Sequence, residues 1–275
     1  MSPATPAQPI TLLHLTDPHL FAAPEGALLG IDTRQSLRAV LRHIAASGIR
    51  PDRVLATGDL AQDAEPGAYT CFLDMVALLK APVHALPGNH DVPARLRAAL
   101  GAAADPVVDC GAWRLILLDS SQTDSESGHL ADDQLDLLRE AGRIEAHRHL
   151  LVALHHNPIP MGSAWLDTMQ VDNAPALFDA LAGLPRARAL VWGHVHQAHD
   201  SQRPGAQGES GLRLMATPAT CFQFLPHSAH FSLDTALPGY RWIRLHANGQ
   251  LDTEIVRIPA LPPEAGQPDT RSPGY

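Results

Sequence analysis

Five short stretches end apolar runs in side chains that bind cations well. In chain order they carry Asp17 and His19, then Asp59, then Asn89 and His90, then His155 and His156, then His194 and His196. Asp17-Pro18-His19 and His194-Val195-His196 place donors at i and i+2, so both side chains of a pair point to one side of an extended segment. Leu86-Pro87-Gly88-Asn89-His90-Asp91 turns at Pro-Gly and then offers an amide oxygen, an imidazole and a carboxylate in sequence. Gly88 permits backbone angles that a side chain forbids, and an imidazole beside it can give or take a proton near neutrality. Brought together, the set mixes hard carboxylate and amide oxygens with borderline imidazole nitrogens. That mixture suits Mn, Fe or Zn and suits Mg or Ca poorly. It holds more ligands than one tetrahedral ion takes, whereas two ions sharing a carboxylate use them all.

Each piece alone has an ordinary reading. Asp-Pro opens turns and Gly-Asp is loop chemistry. His155-His156 before Asn157-Pro158 fits a strand end with one core and one solvated imidazole. Most lone H-x-H pairs are not metal sites. The conjunction of all five, in this order, carries the argument.

Strands must deliver these groups. Residues 10–16, 53–57, 82–86, 149–154 and 189–192 are apolar runs of strand length ending at the five stretches. Between them lie helices. Asp32 or Thr33 caps one that runs to about residue 47, closed by Gly48. Pro66 opens a second, Pro93 a short third, residues 132–146 form another, and Asn173 caps one opened by Pro175. Residues 107–108 and 113–118 read as a hairpin. Past His196 the helices stop, and residues 212–216, 229–233, 240–245 and 251–258 read as a meander of strands. The pattern fits mixed sheets with helices outside, and ligands in such sheets collect at the carboxyl ends of strands. With no linker and no repeat, one domain spans residues 10–258, between an extension (residues 1–9) and a Pro-rich tail (residues 259–275) that composition reads as poorly ordered.

The chain has 275 residues, 45% of them hydrophobic, enough for a sizeable core. Acids outnumber bases 29 to 20, for a net charge of −9, which argues against long nucleic acid as a partner. No apolar run approaches the ~20 residues that a membrane span needs, and residues 1–9 lack the features of a secretory signal. Cys71, Cys110 and Cys221 form no C-x-x-C arrangement and read as buried thiols of a reducing compartment, so a cytoplasmic location is expected. Of the 16 histidines, His43, His147, His149 and His246 read as surface residues, which leaves the close pairs to explain.

The order D-x-H, G-D, G-N-H-D, H, G-H-x-H resembles that of the calcineurin-like metallophosphoesterases. Longer stretches resemble the bacterial 3′,5′-cyclic AMP phosphodiesterases of the CpdA type. They are Thr16-Asp17-Pro18-His19-Leu20-Phe21, Leu28-Leu29-Gly30, Ala56-Thr57-Gly58-Asp59-Leu60-Ala61-Gln62-Asp63, the Leu86–Asp91 hexapeptide, and Ala216-Thr217-Pro218-Ala219-Thr220-Cys221. Phe231-Ser232-Leu233-Asp234-Thr235 fits too, as does the ending from Gln267-Pro268-Asp269-Thr270 to Gly274-Tyr275, which implies that the tail docks.

The resemblance implies an α/β fold, a four-layer α/β/β/α sandwich of two mixed sheets flanked by helices. It implies that Asp17, His19 and His196 hold one ion, that Asn89, His155 and His194 hold the other, and that Asp59 bridges them. Spacing alone cannot choose between His155 and His156; the family pattern favours His155. The ions implied are Fe and/or Mn, with Zn open. His90 and Asn89 are the implied catalytic residues, and His19, Asp59, Asn89, His90, His155 and His196 the implied substrate contacts. The substrate implied is a small cyclic nucleotide, 3′,5′-cyclic AMP, hydrolysed to 5′-AMP by in-line attack of a hydroxide shared by two ions about 3.5–4 Å apart. A homodimer is common among similar proteins and is carried as an expectation.

Two other readings stand beside this one. A broader phosphodiesterase of the same fold would act on 2′,3′-cyclic nucleotides, glycerophosphodiesters or aryl diesters. A non-catalytic scaffold would lack some of the ligand positions, all of which are filled here. One departure concerns what orients His90. Many family members place an Asp three residues after the bridging Asp, where this chain has Gln62, with Asp63 next. Asp63 and Asp91 are each a candidate to orient His90 and equally a candidate loop cap. Phe222, Phe224, His227 and Trp165 are candidate pocket walls, although packing is the simpler reading.

Overall fold

The computed structural model describes residues 8–204 and 211–271. β1 (Ile10–Leu15) leads through a short bridge pair into α1 (Thr33–Ala46). β2 (Arg53–Thr57), α2 (Pro66–Val76), β3 (Val83–Leu86) and α3 (Pro93–Leu100) follow. β4 (Val107–Cys110) and β5 (Trp113–Leu117) form the expected hairpin. Then come α4 (Asp132–Arg143), β6 (His149–Ala153), α5 (Ala174–Ala182) and β7 (Ala187–Trp192). β8 (His199–Arg203), β9 (Leu212–Ala216), β10 (Gly239–Leu245) and β11 (Leu251–Arg257) complete the sheets.

The helices begin where local chemistry starts them. The Asp32 carboxylate accepts from the Gln35 N–H at 2.9 Å and caps α1. Proline opens α2 and α3, where its missing N–H costs nothing. Asp132 and Asp133 at the start of α4 and Arg143 at its end complement the helix dipole. On α1, Leu37, Val40, Leu41 and Ile44 recur at helical spacing and are buried.

A five-stranded sheet has the order β11-β10-β1-β2-β3, and a six-stranded sheet the order β8-β9-β7-β6-β5-β4. Both are mixed. β1, β2 and β3 run parallel with β10 antiparallel beside β1; β5, β6, β7 and β9 run parallel between antiparallel edges. Strand alternation divides the core into three layers. Leu13, Leu15 and Val54 face α1, α2 and α3. Ile116, Val152 and Leu190 face α4 and α5. Leu12, Leu55, Trp113, Leu151, Val191 and Ile243 fill the space between the sheets. The result is the four-layer sandwich, with helices outside two facing sheets.

The last third departs from the expected meander. β9 joins the six-stranded sheet, parallel to β7, while β10 and β11 cross to the other sheet. Residues 229–233 supply only a short bridge, Leu233–Asp234 against Gln223–Phe224. β8 was not foreseen because its alternation, HDSQR, is polar on both faces at an exposed edge. The tail also differs from its compositional reading. The Asp269 N–H donates to Leu29 O at 2.8 Å and Gly266 bridges Ile31, so the tail docks on the loop before α1. The expected extension lies outside the described residues up to residue 7, as do Gly274 and Tyr275. All three cysteines are free; Cys110 and Cys221 are buried. Among the described residues no helix is long and apolar enough to cross a membrane.

Leu55 sits fully buried in the layer between the sheets. Leu55→Ala is expected to lower the unfolding free energy by about 2–5 kcal/mol, read from urea denaturation.

Candidate metal centre

The carboxyl ends of β1, β2, β3, β6 and β7 converge, and the five predicted stretches meet there. Asp17, His19, Asp59, His194 and His196 all have positive φ, between 45° and 62°. Left-handed backbone is uncommon for residues with a Cβ and persists only where surroundings over-determine it. Here backbone bonds between the loops do so. The Asp17 N–H donates to Gly58 O at 3.2 Å, the His19 N–H to Asp59 O at 2.9 Å, and the Gly193 N–H to His155 O at 3.1 Å. Two glycines permit the crowding: a Cβ on Gly88 would overlap the Asp59 carboxylate, and one on Gly193 would overlap the Thr16 hydroxyl.

The hydrogen bonds at the back of each ring fix what its front presents. His196 Nδ1 donates to Phe222 O at 2.9 Å, and His19 Nδ1 to Gln62 Oε1 at 2.7 Å. Each Nε2 is therefore a bare lone pair, yet the two face each other at 3.2 Å. His155 Nδ1 donates to Thr57 O at 2.7 Å. Its Nε2 then faces Asn89 Oδ1 at 3.0 Å and Asp59 Oδ2 at 3.3 Å, where it carries a proton that a cation would displace. His194 Nδ1 also lies 3.1 Å from Asn89 Oδ1. Asp17 Oδ1 stands 3.7 Å from His196 Nε2. Carboxylate and amide oxygens converge with imidazole nitrogens, and such an arrangement favours positive charge at its centre, as ring protons or as cations. The donor set therefore fits a metal pair, as carboxylate, amide and imidazole ligands for borderline ions.

Charge follows the same logic. Burial works against charging His155, yet the Asp59 and Asp17 carboxylates hold its imidazolium up to about 9. Burial pushes Asp17 up to about 7, with the Asp59 charge adding to the rise and His155 opposing it. Asp59 stays well below the usual carboxylate range: burial opposes this, but the His155, His90 and His19 rings outweigh it. Burial holds His19 down at about 4, and His194 and His196 well below the ordinary histidine value.

The adjacent pair diverges. His155 aims into the cluster, while His156 Nδ1 bonds the Ser120 hydroxyl at 2.8 Å. One nitrogen each from His155, His156 and His194 still lie within 4.8 Å of one another, so His156 stands at the edge of the donor set. Gln62 partners His19, not His90. Asp91 accepts from the N–H groups of Gly88, Ala61 and Leu60 at 2.9–3.2 Å, and Asp63 from those of Ala22 and Glu65. Both carboxylates thus brace loops.

Phe224 stacks on His196 with centroids 4.3 Å apart, Phe222 lies 4.9 Å from the same ring, and Trp165 packs edge-on against Phe224. These aromatics back the ligand rings. His227 rests against Gly162. Sequence reasoning missed Gln62 as a partner of His19, and missed the carbonyls of Thr57 and Phe222 entirely. It also missed Cys221, whose Sγ donates to Asp17 O at 3.0 Å. Backbone acceptors carry no residue-type signal, although all of these lie within or beside the family-like stretches.

Residues 10–198 match the family model of the calcineurin-like phosphoesterases. The 3′,5′-cyclic adenosine monophosphate phosphodiesterase CpdA of Pseudomonas aeruginosa is 46% identical over 259 residues, covering 94% of this chain and 93% of that protein. The enzyme of the same name from Escherichia coli (strain K12) is 42% identical over 270 residues, covering 97% and 95%. Among solved structures, a dimetal phosphatase from Danio rerio superposes with a TM-score of 0.61 at 15% identity, covering 92% of this chain and 100% of that one. That likeness shows the fold alone.

Two outcomes follow from the geometry. Asp91→Ala strands three backbone N–H groups and is expected to cost about 3 kcal/mol in urea unfolding, with Asp91→Asn, which keeps one acceptor, costing less. Cation binding must displace the protons held by His155 and Asp17. Mn(II) affinity should therefore fall as pH drops through about 9 and then about 7, with protons released on binding, measured by calorimetry in buffers of different ionisation enthalpy.

Proposed function

The chain belongs to the calcineurin-like phosphoesterases, and from that premise we propose that it hydrolyses 3′,5′-cyclic AMP to 5′-AMP and so lowers cyclic AMP signals. The observation that carries this reading is identity of 46% along 94% of the chain to a curated phosphodiesterase for that ester. The cluster supports it, since every position that the chemistry needs is filled.

In this reading Asp17, His19 and His196 would hold one ion and Asn89, His155 and His194 the other, with Asp59 shared between them. Fe or Mn is the proposed occupant, with Zn accepted by the same donors. The ions, when bound, make water nucleophilic at neutral pH and offset charge on the phosphoryl oxygens. The chain's own residues do the rest. Asp17, His19, Asp59, His155, His194 and His196 are buried, whereas Asn89 and His90 are half-buried. The diester therefore approaches on the Asn89–His90 side. The His90 N–H donates to Asp59 Oδ1 at 2.9 Å, and the His90 ring stands edge-on to His19 with centroids 5.0 Å apart. From there it donates a proton to the leaving 3′ oxygen. His19, Asp59, His155 and His196 line the floor on which the phosphate rests, and Asn89 contacts it from the rim.

The test is hydrolysis of cyclic AMP by protein loaded with Mn or Fe, with product identified as 5′-AMP. Competition against 2′,3′-cyclic nucleotides, glycerophosphodiesters and aryl diesters at matched metal loading should leave cyclic AMP preferred. His90→Ala is expected to lower kcat about 10²–10⁴-fold while Mn(II) binding persists. Full activity in that variant would overturn the role given to His90.

A further inference from the structure

A continuous run of polar side chains crosses the apolar layer between the two sheets and ends behind the cluster. Arg241, Thr217, His14, Thr57 and Thr16 are each at most 1% exposed. Arg241 Nε donates to Thr217 Oγ1 at 3.2 Å. Thr217 Oγ1 lies 2.7 Å from His14 Nδ1, and His14 Nε2 lies 2.8 Å from Thr57 Oγ1. Thr57 Oγ1 donates to Thr16 Oγ1 at 2.8 Å, and Thr16 Oγ1 donates to Thr57 O at 3.3 Å. That same carbonyl accepts from His155 Nδ1.

Donor counting gives the run one direction. The guanidinium has no acceptor, so Thr217 receives at its first step. The Thr217 hydroxyl proton then goes to His14 Nδ1, which leaves the His14 proton on Nε2, aimed at Thr57. This tautomer satisfies every donor from Arg241 to Thr16, whereas the other strands the Thr217 proton. His14 is neutral, held down at about 3 by burial and by the Arg241 charge. The origin is fixed as well: the Arg241 Nη atoms donate to His199 O, Ala216 O, Thr253 Oγ1 and Asp200 Oδ2. A buried chain of this kind polarises along its length and is costly to break at any link.

We infer that Thr217 and His14 are positioning residues for the metal centre: their chain holds Thr57 and Thr16 so that the Thr57 carbonyl fixes the tautomer and aim of His155. At the same end, the Thr16 hydroxyl lies where a Cβ on Gly193 would sit, which ties the chain to the backbone entering His194. The inference rests on the cation-binding reading of the cluster.

The experiment titrates Mn(II) into metal-free full-length protein and reads free Mn(II) by electron paramagnetic resonance. Thr217→Val keeps the shape and removes the hydroxyl; Thr217→Ser keeps the hydroxyl. Thr217→Val should weaken Mn(II) binding about 10-fold, while Thr217→Ser restores it. Nitrogen-15 spectra of the histidines should show His14 leaving its single Nε2–H tautomer in the Val variant alone, a change that loss of packing does not produce. If Thr217→Val fails to fold, Thr57→Val breaks the next link and decides the matter in its place. Mn(II) affinity unchanged by a broken link overturns the inference alone. A wild-type protein that binds no Mn(II) overturns the cation reading and the inference together.

Discussion

Carboxylates and imidazoles crowded together in one buried place are the constraint on which the rest of this structure depends. His19 and His196 bring their Nε2 atoms to 3.2 Å of each other, and His155 Nε2 lies against Asn89 and Asp59. The far nitrogens of His19, His155 and His196 are committed to protein oxygens, so the near nitrogens are the ones open to a proton or a cation. The protein oxygens behind the rings fix their orientation and turn a nitrogen of each toward the centre. Such a centre favours positive charge, whether it arrives as ring protons or as a cation.

The fold holds the groups in place. Five residues of the centre sit in left-handed backbone, and loops from both sheets bond to one another to keep them there. Asp91 collects three N–H groups at the mouth of β3, so the turn bearing Asn89 and His90 cannot drift. The apolar layer between the sheets supplies rigidity, and the polar run through it reaches His155 from the far side. Stability and function therefore meet at Thr57: its side chain belongs to the core and its carbonyl to the site.

Much of this was legible in the residues. Strand and helix alternation over the first two-thirds gave the layers, because apolar runs, proline starts and capping aspartates act locally. The convergence of the five stretches was legible because metal chemistry restricts residue types and the strand ends repeat them. The last third was not. β9, β10 and β11 look alike as apolar strands, and nothing local says that β9 pairs with β7 while β10 crosses to β1. β8 is polar on both faces. The roles of Gln62, Asp63 and Asp91 were undecided because each depends on which way a side chain turns, and only tertiary packing sets that. The choice between His155 and His156 was of the same kind.

Strand order has a consequence for biosynthesis. The cluster draws residues from Asp17 to His196, and β1 gains its second neighbour only when residues 239–245 pair with it. A nascent chain leaving the ribosome thus exposes Asp17, Asp59 and Asn89 long before the last imidazoles arrive. His19 emerges with that first group, but His155, His194 and His196 follow only later, so the cluster stays incomplete, and long-range pairings form late. Completion of the cluster is accordingly a late event of maturation, reserved for polypeptides that are nearly complete.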